Sequence, residues 1–200
     1  MSKTLDELLT ATQDTNIISS DRFTWERFGL LGALTDYQLS YFKGDICEIG
    51  IGESSIMFSK LARKHDVMVW HCDYSRGLIE SCEMTPGYFN EQAAVFTGKS
   101  TEFFEYIKPT KARFSVSFID GDHMIETVAE DFWNCYKNTI KNGLIFLHDT
   151  NPPDESWTVP EKCGTAYQIL DVLKTHKDKV DVFTFVRSAF DVGLTMVRKI

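Results

Sequence analysis

Short apolar runs alternate with segments of helical period over most of the chain, the pattern of a parallel sheet covered by helices. Strands are predicted near Asp45–Ile49, Val67–Cys72, Ala93–Phe96, Phe114–Ile119 and Leu144–Leu147. Helices are predicted near Ser54–Lys64, Thr101–Ile107, Met124–Ile140 and Thr165–Lys174. In the third of these Ile125, Ala129, Phe132, Tyr136 and Ile140 recur on one face, which marks that face as buried. The alternation stops near the C-terminus. Val180–Arg187 and Val192–Lys199 are strand-like and joined only by Ser188-Ala189-Phe190-Asp191, a link short enough to make an antiparallel hairpin. Ahead of the first strand, Leu5–Gln13 and Phe23–Leu39 have helical patterns suited to covering the open end of the sheet. The expectation is a single α/β domain over residues 1–200, with a helical cover (1–40) and a core (41–200).

Composition narrows the function classes. With 200 residues, 43% hydrophobic and 25% charged, the chain is long enough to bury a substantial core. A net charge of -8 without a basic stripe speaks against a nucleic-acid partner, because such affinity rests on Lys and Arg neutralising phosphates. A small-molecule acceptor or substrate is the default. The five cysteines are odd in number and lack a C-x-x-C pair, so neither a zinc site nor a disulfide framework is written, and a cytoplasmic location is expected. The N-terminus is polar, and no apolar run approaches the ~20 residues that span a bilayer, so no membrane role is expected. A homodimer is compatible with these data and not required by them.

The most informative stretch is Asp45-Ile46-Cys47-Glu48-Ile49-Gly50-Ile51-Gly52-Glu53-Ser54-Ser55, in which a strand runs into a glycine-paired turn and then a helix. Such a turn brings backbone close to a ligand, although a plain strand-to-helix turn has the same look. Ser55 stands where the dinucleotide fingerprint needs Gly or Ala, which makes a poor nicotinamide or flavin site. Asp73 closes the second strand about 20 residues on, where an acid can accept ribose hydroxyls or cap the next turn.

Five alternating strands, a closing hairpin and E-I-G-I-G in the first turn resemble the class I S-adenosylmethionine-dependent methyltransferases, over about Lys43 to Lys199. The resemblance implies a Rossmann-like, doubly wound, mainly parallel seven-stranded sheet with a C-terminal antiparallel hairpin, and S-adenosylmethionine as cofactor. It places Glu48 near the methionine amino group, Gly50 and Gly52 along the cofactor with Ser54 and Ser55 following, Asp73 on the ribose, and Ser100 of Thr97-Gly98-Lys99-Ser100 beside adenine. A narrower resemblance is carried by Phe118-Ile119-Asp120-Gly121-Asp122-His123 and Gly143-Leu144-Ile145-Phe146-Leu147-His148-Asp149-Thr150. These are similar to the small-molecule O-methyltransferases related to the catechol, caffeoyl-coenzyme-A and macrocin enzymes. They imply a divalent cation on Asp120 and Asp149 with Thr150 beside them, Asp120 also bordering the cofactor and acting in catalysis. His123 takes the place of the family's basic lysine as general base, a role its ordinary pKa of about 6.5 suits.

The chain also departs from that family. Metal-dependent members place Asn or a second acid beside the strand-five acid, where this chain has His148-Asp149-Thr150. Asp, Asp and Thr would hold Mg²⁺ with waters, whereas adding His148 would suit Mn²⁺, Fe²⁺ or Zn²⁺. The glycine turn is shorter than the G-x-x-x-G-Y-S of the catechol type. His123 and His148 have an alternative role in ordering loop carbonyls, and Asp122 reads as an N-cap for the helix after it. Asn151-Pro152-Pro153 resembles the Asn-Pro-Pro-aromatic signature of amino-group methyltransferases but follows the fifth strand and continues with Asp154. It reads as the start of a loop without regular structure, with Trp157 either packing on a substrate or folded against the protein. The function expected is methyl transfer to a small-molecule hydroxyl. The alternatives are a nicotinamide-dependent oxidoreductase, a cofactor- or partner-binding member without catalysis, and a hydroxylase on the same fold.

Overall fold

A computed structural model describes residues 22–185 and 192–200. The expected helix Leu5–Gln13 and the hairpin link Ser188–Asp191 lie outside the described residues. In chain order the elements are α1 (Arg22–Tyr41), β1 (Asp45–Ile49), α2 (Ser54–His65), β2 (Val69–Asp73), α3 (Arg76–Glu83), β3 (Ala93–Thr97), α4 (Ser100–Ile107), β4 (Phe114–Ile119), α5 (Ile125–Asn138), β5 (Thr139–His148), α6 (Ile169–Lys174), β6 (Val180–Phe185) and β7 (Leu194–Lys199). The seven strands form one sheet in the order β3-β2-β1-β4-β5-β7-β6. Neighbours from β3 to β5 are parallel, whereas β7 runs antiparallel to both β5 and β6. The sheet is thus Rossmann-like, mainly parallel and closed by the hairpin.

Helices cover both faces, which is why β4 is buried at every position. On one face Phe28 and Leu31 of α1 and Met57, Phe58 and Leu61 of α2 pack on Ile46, Val69, Val116 and Phe146. On the other, Phe103 and Ile107 of α4, Phe132 and Cys135 of α5, and Ile169 and Leu173 of α6 pack on Cys47, Ile145 and Val197. Burying one large apolar side chain contributes roughly 1.5–3 kcal/mol, so these two layers hold the strand ends in fixed register. Among the described residues, no helix is long and apolar enough to cross a membrane.

Three local expectations change. Between β2 and β3, where the hydrophobic pattern predicts no element, α3 forms because Ser75 accepts the Leu78 N–H as its cap and Ile79 and Cys82 are buried. β5 begins at Thr139, not Leu144, since Thr139 ends α5 in extended conformation and a register shift against β4 absorbs the extra residues. The predicted helix Thr165–Lys174 is a 3₁₀ turn (Ala166–Gln168) leading into the short α6.

The strand order reverses between β1 and β4, the place where open α/β sheets open a ligand crevice at their carboxyl ends. Gly50 has φ +92°, and a Cβ there would lie 2.1 Å from the Asp120 carbonyl oxygen. Only glycine lets the two strand ends approach this closely.

Candidate active site at the carboxyl ends of the strands

The crevice has a glycine-turn side, built from β1 and β2, and an acid-histidine side, built from β4 and β5. On the first, Asp73 Oδ2 accepts the Ile51 N–H at 2.9 Å while Oδ1 accepts the Ser75 N–H at 2.7 Å. The carboxylate therefore caps the next turn and ties the glycine turn to β2, and it remains only half-buried. Among the described residues, no atom lies within 4 Å of where a Gly52 Cβ would sit. Glu48 corrects its sequence expectation. It is fully buried beneath the turn, and its oxygens accept Ser54 Oγ (2.5 Å), Ser55 Oγ (2.6 Å) and His71 Nδ1 (2.6 Å). A carboxylate so occupied does not line the crevice.

On the second side, ligand atoms of Asp120, His123 and Asp149 all lie within 4.8 Å of one another. His123 Nε2 is 3.2 Å from Asp149 Oδ2. His148 Nδ1 sits between the acids, 3.0 Å from Asp120 Oδ1 and 3.3 Å from Asp149 Oδ1, but its N–H points squarely at neither, so the attraction is mainly coulombic. Burial pulls the His148 imidazole down, yet the two carboxylates outweigh it and push its pKa up to about 10. Burial likewise pushes the Asp149 carboxyl up, and His148 and His123 overcome that to hold it below the usual range. Asp149 adopts φ +58°, an uncommon left-handed conformation that aims its carboxylate back at β4.

The His123 backbone is pinned as well. Its carbonyl accepts the Thr165 N–H at 2.8 Å, and Gly164, at φ +52°, packs where a Cβ would fall 2.5 Å from that oxygen. Cys163 next to it is buried, its thiol raised to about 12 by burial and by Asp149, so it offers no nucleophile.

Residues 47–150, just over half of the chain, match the model of a family described as a methyltransferase domain. The chain belongs to this methyltransferase family. Solved structures agree on the fold. An O-methyltransferase from Bacillus cereus in complex with SAH superposes with TM-score 0.68 at 17% identity, covering 100% of this chain and 92% of that one. The O-methyltransferase TomG from Streptomyces achromogenes, involved in tomaymycin synthesis and in complex with SAM, gives 0.69 at 16%, covering 98% and 91%. The MycE methyltransferase of mycinamycin biosynthesis, in complex with Mg, SAH and mycinamycin VI, gives 0.60 at 16%, covering 99% of this chain and 55% of its own. No curated protein matches the chain significantly in sequence.

In this methyltransferase one further site expectation changes. Thr150 is buried and its hydroxyl accepts from Thr195 Oγ1 at 2.8 Å, so it belongs to the β5–β7 joint and not to the acid cluster. Ser100 opens α4 as expected, beside Asp131 of α5, whose carboxyl burial pushes up to about 6 against the opposing effect of Ser100. The proline-containing loop forms a 3₁₀ turn at Glu155–Trp157, and the Lys162 ammonium lies 4.6 Å over the Trp157 ring, so that loop folds on itself. Asp122 is not the N-cap of α5, a position held by Met124; it lies just ahead of it and accepts Met124 N–H and Thr127 Oγ1. His71 escaped the sequence reading. Its signal was positional, since parallel register sets it directly beside Glu48.

Proposed function

We infer that this methyltransferase uses S-adenosylmethionine to methylate a hydroxyl oxygen of a small molecule, aided by a divalent cation on Asp120, His123 and Asp149. The observation carrying the reading is the convergence of those three side chains one residue-layer from the glycine turn, with Gly50 packed on Asp120. The cofactor would lie along Gly50 and Gly52, with Asp73 toward the ribose and Ser100 toward adenine. The fit to a cation rests on donor chemistry: one imidazole and two carboxylates suit Mn²⁺, Fe²⁺ or Zn²⁺ better than Mg²⁺. Bound there, a cation would orient the acceptor and lower its hydroxyl pKa. S-adenosylmethionine supplies an electrophilic methyl group that needs an aligned acceptor and little covalent help.

The chain's own residues do the remainder. Asp149 holds His123 in place at 3.2 Å, and the 163–165 segment fixes the loop. One observation favours a second reading, in which the His123–Asp149 pair acts without metal. Asp149 then orients the imidazole through Nε2, leaving Nδ1 to take the acceptor's proton. Turnover of a verified acceptor after exhaustive chelation separates the two. Lost activity restored by Mn²⁺ supports the cation; full activity, with His123→Ala lowering turnover by about 10²–10⁴-fold, supports the base. Failure to bind SAH in calorimetry would overturn the cofactor reading altogether.

A further inference from the structure

Beneath the glycine turn a chain of hydrogen bonds leads from the half-buried Gly52 to the buried Glu48 and His71 and has no evident work in the reaction. The Gly52 N–H donates to Ser55 Oγ (3.2 Å), Ser55 Oγ–H donates to Glu48 Oε2 (2.6 Å), and His71 Nδ1 reaches the same carboxylate oxygen at 2.6 Å. Ser54 Oγ fills the other oxygen. Glu48 and His71 both have 0% exposure, and their Cα atoms pair directly across β1 and β2.

We propose that Glu48 and His71 are positioning residues for the cofactor, acting through Ser55 to fix the peptide of Gly52 at the open face of the crevice. The inference rests on the cofactor reading above. An ionised carboxylate is acceptor-only and here meets three donors, so it sets the direction of every hydrogen bond in the network. It requires the proton of His71 on Nδ1. Nε2 is then a bare acceptor beside Phe89, with no hydrogen-bond partner among the described residues. It also makes Ser55 Oγ–H a donor to the acid, leaving the oxygen's lone pair for Gly52. The Gly52 carbonyl accepts the Ser55 N–H at 3.0 Å, but Gly52 has no side chain and, among the described residues, nothing packs within 4 Å of its Cβ position, so the hold on its N–H decides which backbone conformer it keeps. An untethered glycine would sample other backbone conformers and bind ligand only from a fraction of them.

Calorimetry with SAH on the full chain provides the test, using parent, His71→Leu, His71→Asn and Ser55→Ala. Leucine removes the donor, whereas asparagine places an amide N–H near the position of Nδ1. We expect His71→Leu and Ser55→Ala each to weaken SAH binding by roughly tenfold, the equilibrium worth of one positioned hydrogen bond, and His71→Asn to recover most of it. Exchange of the Gly52 amide with solvent deuterium should accelerate in the same two variants without ligand. Thermal melts identify variants that fold. Ser55→Ala keeps the test alive if His71→Leu does not fold. Folded His71→Leu and Ser55→Ala proteins with parental SAH affinity and parental Gly52 exchange would overturn the proposal. A parent that fails to bind SAH would overturn the cofactor reading instead, and Gly52 exchange would still decide the tether.

Discussion

The two sides of the crevice use the same residue types in opposite ways. Glu48 and His71 are dry, and the acid accepts from three side chains, Ser54, Ser55 and His71, so its polarity is spent inward. Asp120 and His123 are partly exposed, Asp149 is held in an uncommon backbone conformation, and His148 has no squarely aimed partner. Fully buried groups hold shape; partly exposed acids and imidazoles at the crevice are the ones a ligand can reach. In the proposed function this distinction divides the acid assigned to positioning from the acids assigned to the reaction, a division residue type alone does not make.

The contrast is broken most severely on the reactive side. Asp149→Ala should lower turnover by at least the 10²–10⁴-fold typical of losing a catalytic group, with SAH affinity nearly unchanged, measured by steady-state kinetics beside calorimetry. Equal losses of SAH affinity and turnover would erase the division of labour. Gly50→Ala strikes the seam between the sides, because the added Cβ meets the Asp120 carbonyl and φ is +92°. We expect a loss of about 3 kcal/mol or more in urea unfolding, with both functions damaged. On the glycine-turn side, Asp73→Ala should weaken SAH binding by roughly 1.5–3 kcal/mol and leave metal binding intact.

The smallest expected effect concerns a buried acid belonging to neither side. Burial raises the Asp131 carboxyl from 3.8 to about 6, with Ser100 opposing the shift. The folded state therefore holds this proton more tightly than the unfolded chain. Its contribution to stability is complete below about pH 3.8 and is lost as pH rises through 6. Asp131→Asn should consequently gain on the parent by roughly 1–2 kcal/mol between pH 4.5 and pH 7.5, read from urea midpoints at both. A constant difference across that range would mean the carboxyl titrates normally.

The core strands were legible because β1 and β4 are short apolar runs ending in glycine or acid, and Asp45–Ile49 and Phe114–Ile119 match the structure residue for residue. The acids at the strand ends were legible for the same reason, as Asp120 and Asp149 sit where the strands stop. Two things were not written locally. Thr150 follows Asp149 by one position, but the chain leaves the strand at Asp149, whose φ is +58°, and the Thr150 hydroxyl is bound by Thr195 of β7. The partnership of Glu48 and His71 depends on parallel register between strands 23 residues apart, which hydrophobic periodicity does not encode.

Placing β7 between β5 and β6 has a consequence for the order of assembly. During synthesis, β5 and β6 emerge before the strand that joins them, so the outer edge of β5 stays unpaired until β7 leaves the ribosome. Thr150 also waits for Thr195, its hydroxyl partner. A nascent chain halted between β6 and β7 would carry every acid and histidine of the crevice, yet would expose the sheet edge behind them to pairing with a neighbouring chain.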